Sequence, residues 1–325
     1  MALVTVYRLK NEINESKIIG VGNTNLTLIE EIVETEVFFQ ESEVKINSED
    51  QGKNEFIMKL FSTLENIVSK NININARDIV NVAQAIKDGR EGEIESLYEH
   101  KDALIVLSNG RTVYPKSINQ KHYLQTLSRH EVVIAVGPAG TGKTYLGVLF
   151  AVAQLKKNNV KKIILVRPVV EAGEKLGFLP GDLKDKIDPY LIPLYDALND
   201  CLGKETVEKL MEKGVIEVAP LAYMRGRTLD NAIIILDEAQ NTTNSQMKMF
   251  LTRLGFNSKM IITGDVTQID LPTRQISGLI EAIDLLKDIK GIGIVYFDRN
   301  DVMRNPIVYR IIQQYEAKDN GNQYI

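Results

Sequence analysis

Two groups of residues carry the chemistry this chain can do: Gly137-Pro138-Ala139-Gly140-Thr141-Gly142-Lys143-Thr144 and the pair Asp237-Glu238. In the first, the glycines let backbone N–H groups converge on phosphate oxygens. Lys143 adds a point charge for the β- and γ-phosphates, and Thr144 offers a hydroxyl to Mg²⁺. The stretch follows the apolar run 131–136 and precedes a helical pattern from Tyr145, so the positive end of a helix dipole also faces the phosphates. The acidic pair ends the apolar run Ala232-Ile233-Ile234-Ile235-Leu236, which reads as a buried parallel strand and delivers both acids to the sheet edge that carries the phosphate loop. Asp237 is expected to hold Mg²⁺ through water, and Glu238 to orient and deprotonate an attacking water. An apolar strand ending in two acids is common; behind a phosphate loop it predicts nucleotide hydrolysis.

Further candidates flank these two groups. Gln120 stands upstream of the loop, where a glutamine in helicase-like ATPases pairs with adenine; its amide can donate to N7 and accept from the N6 amino group. The run Lys259-Met260-Ile261-Ile262-Thr263 leads into Gly264-Asp265-Val266-Thr267-Gln268, which resembles the motif by which superfamily-one helicases sense the γ-phosphate through glutamine; Gln268 takes that role. Arg225 and Arg227, on either side of Gly226, precede the acidic strand and are candidates for contacting phosphate or RNA, against the alternative of solvated surface charges. Residues 167–182, rich in glycine and proline at a strand's C-terminal end, read as a loop that touches a polymer or a neighbouring subunit.

The composition is that of an ordinary globular chain: 325 residues, 44% hydrophobic and 25% charged, enough for about two domains. With one cysteine, Cys201, there is no intramolecular disulfide, and no Cys/His spacing suits zinc. A reducing, cytoplasmic setting is expected. The start lacks a basic region followed by an apolar core, and no apolar run approaches the ~20 residues that span a bilayer, so a soluble chain without targeting signals is expected. The net charge of −4 is uneven. Residues 1–110 hold 11 Lys and Arg against 19 Asp and Glu, and the remainder 28 against 24. The first part is therefore a poor electrostatic partner for nucleic acid.

The elements that position these residues fall into two parts. In the first, Lys17–Val21 reads as a strand, Gly22-Asn23 as a turn, 24–34 as a helix with Leu26, Ile29 and Val33 on one face and Thr24 as N-cap, 37–39 and 43–46 as a hairpin, and 53–70 as a helix. Residues 1–15 receive no assignment. The order β-α-β-β-α with its glycine turn resembles a KH-like RNA-binding module, although residues 20–25 contain neither a clean GXXG nor a basic residue. A small α+β packing module without ligand is the alternative. After a helix over 75–87, the charge- and glycine-rich stretch from Asp88 opens a linker, with a β-ribbon turning at Asn109-Gly110. The expected divisions are 1–90, a small α+β KH-like domain; 91–116, a linker with a short ribbon; and 117–325, the phosphate-loop domain. In the last, strands at 131–136, 161–166, 215–219, 232–236, 259–263 and 291–297 alternate with helices, which predicts a mostly parallel sheet built from right-handed βαβ units. A tail helix is expected to run through Tyr315.

Taken together, Gln120, GPAGTGKT, RPVVEAGEKLGFLPGD, RGRTLDNAIIILDEAQN, ITGDVTQ and FDRNDVMRNPIV resemble the PhoH family of cytosolic ATPases in order and spacing over residues 111–315. The resemblance implies an α/β fold with a RecA-like P-loop motor domain, ATP as substrate with Mg²⁺, and similarity to superfamily-one helicases with one motor domain in place of two. Two-domain helicases supply a γ-phosphate arginine from the second lobe. A single lobe then implies a neighbouring subunit, and the family is associated with hexameric rings. Arg304 is the first candidate donor, Arg225 or Arg227 the second, in cis or in trans. The readings that follow are an ATPase coupled to RNA remodelling, a nucleotide-switched binding protein in RNA metabolism or phosphate stress, and, less in keeping with the acidic pair, a nucleoside kinase.

Overall fold

The computed structural model describes residues 3–70, 72–99, 104–168, 183–272 and 275–302. The chain divides into two units, residues 1–102 with 116–118 and residues 103–115 with 119–325.

The first unit begins with strand β1 (Val4–Arg8) and continues through helices α1 (Ile13–Ile19) and α2 (Thr24–Val33), strands β2 (Val37–Gln40) and β3 (Glu43–Ile46), and helices α3 (Gln51–Ser69), α4 (Ala76–Lys87) and α5 (Glu91–Glu99). Its antiparallel sheet has the order β1-β3-β2. Val44 and Ile46, two residues apart on the central strand, point to one face and are buried with Ile57, Leu60 and Leu64 of α3. Asp50 caps α3 by accepting from Lys53 N at 3.1 Å, and Asn75 and Asp78 form a capping box on α4.

Three expectations change here. Lys17–Val21 is not a strand: it ends α1 and enters a 3-10 turn, while the strand lies in the previously unassigned 4–8. A short apolar run does not distinguish strand from helix by itself. What decides is the spacing of burial: Asn14 and Ile18, four residues apart, are both buried on one helical face, and Val21, beyond the helix, is 94% exposed. The order is thus β-α-α-β-β-α, and Gly20-Val21-Gly22-Asn23 joins two helices, with Gly20, Gly22 and Asn23 at positive φ. The helix that follows is capped at Asn23, not Thr24, and without a side-chain bond. The expected linker over 91–116 also divides. Its first part is α5, whose Ile94 and Leu97 enter the first unit's core; the ribbon of β4 (Ile105–Val106) and β5 (Thr112–Val113) buries Ile105, Leu107 and Val113 in the second unit.

A buried carboxylate ties the first unit together. Glu65 accepts from Tyr7 Oη at 2.7 Å, Lys10 N at 2.8 Å, Asn11 N at 3.2 Å and Asn14 Nδ2 at 3.2 Å, so α3 holds the turn between β1 and α1. Burial, and then the bond to Glu65, push the Tyr7 hydroxyl up to about 12.

The second unit continues with α6 (Ile118–Arg129), β6 (Val132–Val136), α7 (Lys143–Lys156), β7 (Lys162–Arg167), α8 (Leu183–Leu202), α9 (Lys204–Glu212), β8 (Ile216–Pro220), β9 (Ala232–Leu236), α10 (Asn244–Leu251), β10 (Lys259–Gly264), α11 (Gly278–Leu286) and β11 (Ile292–Tyr296). Its sheet has six parallel strands in the order β11-β6-β10-β9-β7-β8. Every residue of β6 and β9 is buried, as their unbroken apolar runs require when both faces are covered. One face packs on α7 and α8 and the other on α10 and α11. β10 lies between β6 and β9, so the loops after these three strands and after β7 open at one sheet edge. The tail helix and most of the 167–182 loop lie outside the described residues.

Removing the Glu65 carboxylate takes the acceptor from donors on three segments, the buried Asn14 amide among them. Glu65→Ala should destabilise the first unit by roughly 2–4 kcal/mol, read as an earlier unfolding transition of the full chain in denaturant. An unchanged transition would show that the turn does not depend on it.

Candidate nucleotide site

The loop after β6 is shaped by three glycines. Gly137 has φ +151 and lies so close to the backbone of Phe297 that a Cβ would come within 2.4 Å of its carbonyl oxygen. Gly140 and Gly142 have φ +86 and +81, a region that costs an L side chain energy. Lys143, the first residue of α7, is buried, and its Nζ donates to Gly137 O at 2.6 Å and Pro138 O at 2.8 Å. Burial pushes its pKa down, opposed by the nearby carboxylates of Asp265, Asp237 and Glu238. Two contacts brace the loop from behind: Ala139 N donates to Asp265 Oδ2 at 3.1 Å, and Thr141 Oγ1 to Pro138 O at 3.0 Å.

Asp237 follows β9 and is 6% exposed. Its Oδ1 accepts from Thr144 Oγ1 at 2.6 Å and from Thr263 Oγ1 at 2.9 Å, so residues from three strand ends meet on one oxygen. Glu238 has left-handed backbone, φ 52 and ψ 41. Its Oε1 lies 3.1 Å from Arg167 Nη2 and its Oε2 accepts from Gln240 Nε2 at 2.6 Å. Gln240, almost fully buried, also donates to Gln268 O at 3.1 Å and accepts from Asp265 N at 3.0 Å. Asp265 Oδ1 in turn accepts from Thr267 N and Thr267 Oγ1 at 2.9 and 2.6 Å. A cavity of about 700 Å³ opens over these groups, lined by Lys143, Thr144, Arg167, Asp237, Glu238 and Gln268, with Asp196 and Asn199 of α8. This size and mixed lining suit a small polar ligand.

The structure thus brings together Gly137 to Thr144, Asp237, Glu238 and Gln268. The other candidates lie differently. Gln120 is 2% exposed, and its Nε2 donates to Thr141 O at 3.0 Å, so one of its two amide N–H groups braces the phosphate loop. Arg227 forms a two-point pair with Glu217, at 2.6 and 2.7 Å, and does not line the cavity. Its Nη1 and Nη2 are held by a carboxylate of β8, a brace within the second unit that is not directed into the cavity. Arg225 is exposed, with no side-chain partner among the described residues, and is likewise away from the cavity. Arg304 lies outside the described residues.

Arg167, Thr263, Asp265 and Gln240 carried no assigned role in the sequence reading. Arg167 ends an ordinary strand pattern, and only the adjacency of β7 and β9 puts it beside the acidic pair. Asp265 and Gln240 stand inside motifs whose neighbours drew attention.

A family model described as "PhoH-like protein" matches residues 112–316. A PhoH-like protein of Bacillus subtilis (strain 168) is 47% identical over 312 residues, 96% of this chain and 97% of that one. This chain belongs to the PhoH-like family. A Synechocystis PhoH-like protein is 51% identical over 247 residues, 76% of this chain and 75% of that one. Protein PhoH of Escherichia coli (strain K12) is 46% identical over 198 residues, 60% of this chain and 56% of that one. Among solved structures, a Sulfolobus solfataricus SWI2/SNF2 ATPase core in complex with dsDNA overlaps 45% of this chain and 31% of that one, at 18% identity and a TM-score of 0.30. The family match covers the whole parallel sheet and every residue of the cavity just described.

Gly264 has no room for a side chain: a Cβ would lie 2.5 Å from Leu279 Cδ2 and 2.9 Å from Gln240 Oε1. Gly264→Ala should therefore displace the Gln240 amide and cost roughly 1–3 kcal/mol, checked by denaturant unfolding. A fully stable variant would show that the Gln240 knot is loose.

Proposed function

We propose that this chain is an ATPase that hydrolyses ATP with Mg²⁺. The observation that carries the reading is the convergence of Thr144, Asp237 and Glu238 at the mouth of a glycine loop closed by Lys143. The backbone N–H groups of Gly140 to Thr144, which end in the α7 N-terminus, bind the phosphates, while those of Gly137 and Ala139 are held by Gly264 O and Asp265 Oδ2; the Lys143 ammonium, already within reach of the loop carbonyls, turns to the β- and γ-phosphate oxygens. Glu238 accepts the proton of the attacking water, and Gln268, on the exposed loop after β10, responds to the γ-phosphate.

The residues present suit Mg²⁺. A hydroxyl and a carboxylate share one partly buried hydrogen bond at the cavity, and among the described residues no cluster of three His, Cys, Asp or Glu forms a cage. A cation held by Thr144, Asp237, water and the substrate's own phosphates matches that donor set. When bound, it neutralises charge on the phosphates.

Gln120 is assigned to positioning the phosphate loop, on the strength of its buried bond to Thr141 O. Coupling to RNA, a ring of copies such as a hexamer and a cytoplasmic setting form the finer part of the proposal. Their support is the family pattern and a site borne by one lobe; no helix among the described residues is long and apolar enough to cross a membrane. Under this reading the first unit is a packing module rather than an RNA clamp. The surface at its glycine turn is lined by Glu12, Glu15, Ser16 and Ile19, without a basic residue, which disfavours a phosphate backbone.

Variants and solution measurements test this. Lys143→Ala should abolish ATP binding, whereas Glu238→Gln should bind ATP and lose turnover by roughly a hundredfold or more; normal turnover in Glu238→Gln would remove its assigned role. Gln120→Ala should weaken ATP and GTP alike, and a loss confined to ATP would restore adenine reading. RNA-stimulated hydrolysis separates a motor from a nucleotide-switched binding protein, and light scattering that shows an active monomer removes the ring.

A further inference from the structure

We propose that Arg167 is a positioning residue for Glu238, one jaw of a two-donor clamp that fixes the carboxylate expected to act as general base. This inference rests on the ATPase reading above.

The placement follows from the sheet. β7 and β9 are parallel neighbours in a register that pairs Val166 with Leu236, and Asp237 N donates to Val166 O at 2.9 Å. The next residue on each strand, Arg167 on one side and Asp237 with Glu238 on the other, therefore emerges at the same edge. The Arg167 side chain is only 19% exposed and spans that edge: Nη2 lies 3.1 Å from Glu238 Oε1, and Nη1 3.9 Å from Asp237 Oδ2. From the opposite side Gln240 Nε2 holds Glu238 Oε2 at 2.6 Å. Each carboxylate oxygen thus has its own donor, and the two donors come from different elements.

Two consequences follow for a base. With both oxygens held, the carboxylate cannot rotate about its last torsion, yet each oxygen keeps a further lone pair with which to accept from water. Its backbone sits in the left-handed region at φ 52, a conformation that a glutamate holds only where its surroundings over-determine it. A general base must reach the proton it removes at about 3 Å. The strained backbone sets where the side chain starts, and Arg167 and Gln240 set where it ends. The Arg167–Glu238 pair is partly open to solvent, so its value for stability is small. Its geometric effect on one carboxylate is the larger consequence.

The test uses the full chain carrying Arg167→Ala, with Arg167→Gln beside it as the less disruptive variant and Arg167→Lys as the conservative one. Turnover is measured with ATP, and equilibrium binding with ADP and a non-hydrolysable ATP analogue. Loss of positioning lowers kcat roughly tenfold or more, leaves both affinities within about twofold, and is partly restored by Arg167→Lys. In a Glu238→Gln background the added Arg167→Gln change costs less than about twofold in single-turnover rate, because it acts through the group already removed. The proposal is overturned if kcat is unchanged in the folded variants. Weakened binding of the ATP analogue with ADP unaffected also overturns it, since Arg167 is then a γ-phosphate ligand, as does an undiminished loss in the Glu238→Gln background. A wild-type chain that binds ATP without turning it over defeats the ATPase reading itself, whereas normal wild-type turnover with an indifferent Arg167→Gln defeats only the clamp.

Discussion

The bond from Thr144 Oγ1 to Asp237 Oδ1, 2.6 Å long and partly buried, is the interaction on which the second unit's site depends. It joins the first turn of α7 to the end of β9, although β10 lies between β9 and the strand that carries the phosphate loop. The interposed strand does not separate the partners because its own Thr263 donates to the same oxygen. One carboxylate therefore measures the spacing of three strand ends. Displacing any of them leaves a buried polar group without its partner, a cost far above that of an exposed contact.

A second knot lies one layer outward. Gln240 touches the Asp265 amide, the Gln268 carbonyl and the Glu238 carboxylate, and Asp265 reaches back to Ala139 N in the phosphate loop. The loop that grips phosphate and the loop after β10 are thus linked through side chains with no slack. Gly264 shows how tight this is, since its missing side chain is the space Gln240 occupies. One amide group, that of Gln240, thus touches both the Gln268 carbonyl and the Glu238 carboxylate.

The first unit obeys the same economy with other means. A single carboxylate, Glu65, satisfies donors from the turn between β1 and α1. The glycine turn at Gly20 is set by backbone conformations and not by charge, and its surroundings are acidic. An electrostatic reading of the two halves and the local geometry therefore agree that phosphate chemistry belongs to the second unit.

By itself the sequence determined where the glycine loop with its lysine and the acidic pair stand, and which strands are buried. Glycines at 137, 140 and 142 with the lysine and threonine that follow them have few other physical uses, and an apolar run ending in acids, common by itself, gains its meaning behind such a loop, so periodicity and residue type were enough. Tertiary structure decided what depends on which strands become neighbours. Arg167 meets Glu238 only because β7 pairs with β9, and Arg227 is removed from the site only because Glu217 on β8 lies within reach of both its nitrogens. Gln120 looked free to read a base until burial placed its amide under Thr141. In the first unit, the run ending at Val21 is ambiguous because short apolar stretches suit strand and helix alike, and it is the joint burial of Asn14 and Ile18, four residues apart, that marks the helix. Local chemistry is written in residue types; the order of parallel strands is a long-range property, and the partner of each side chain follows from it.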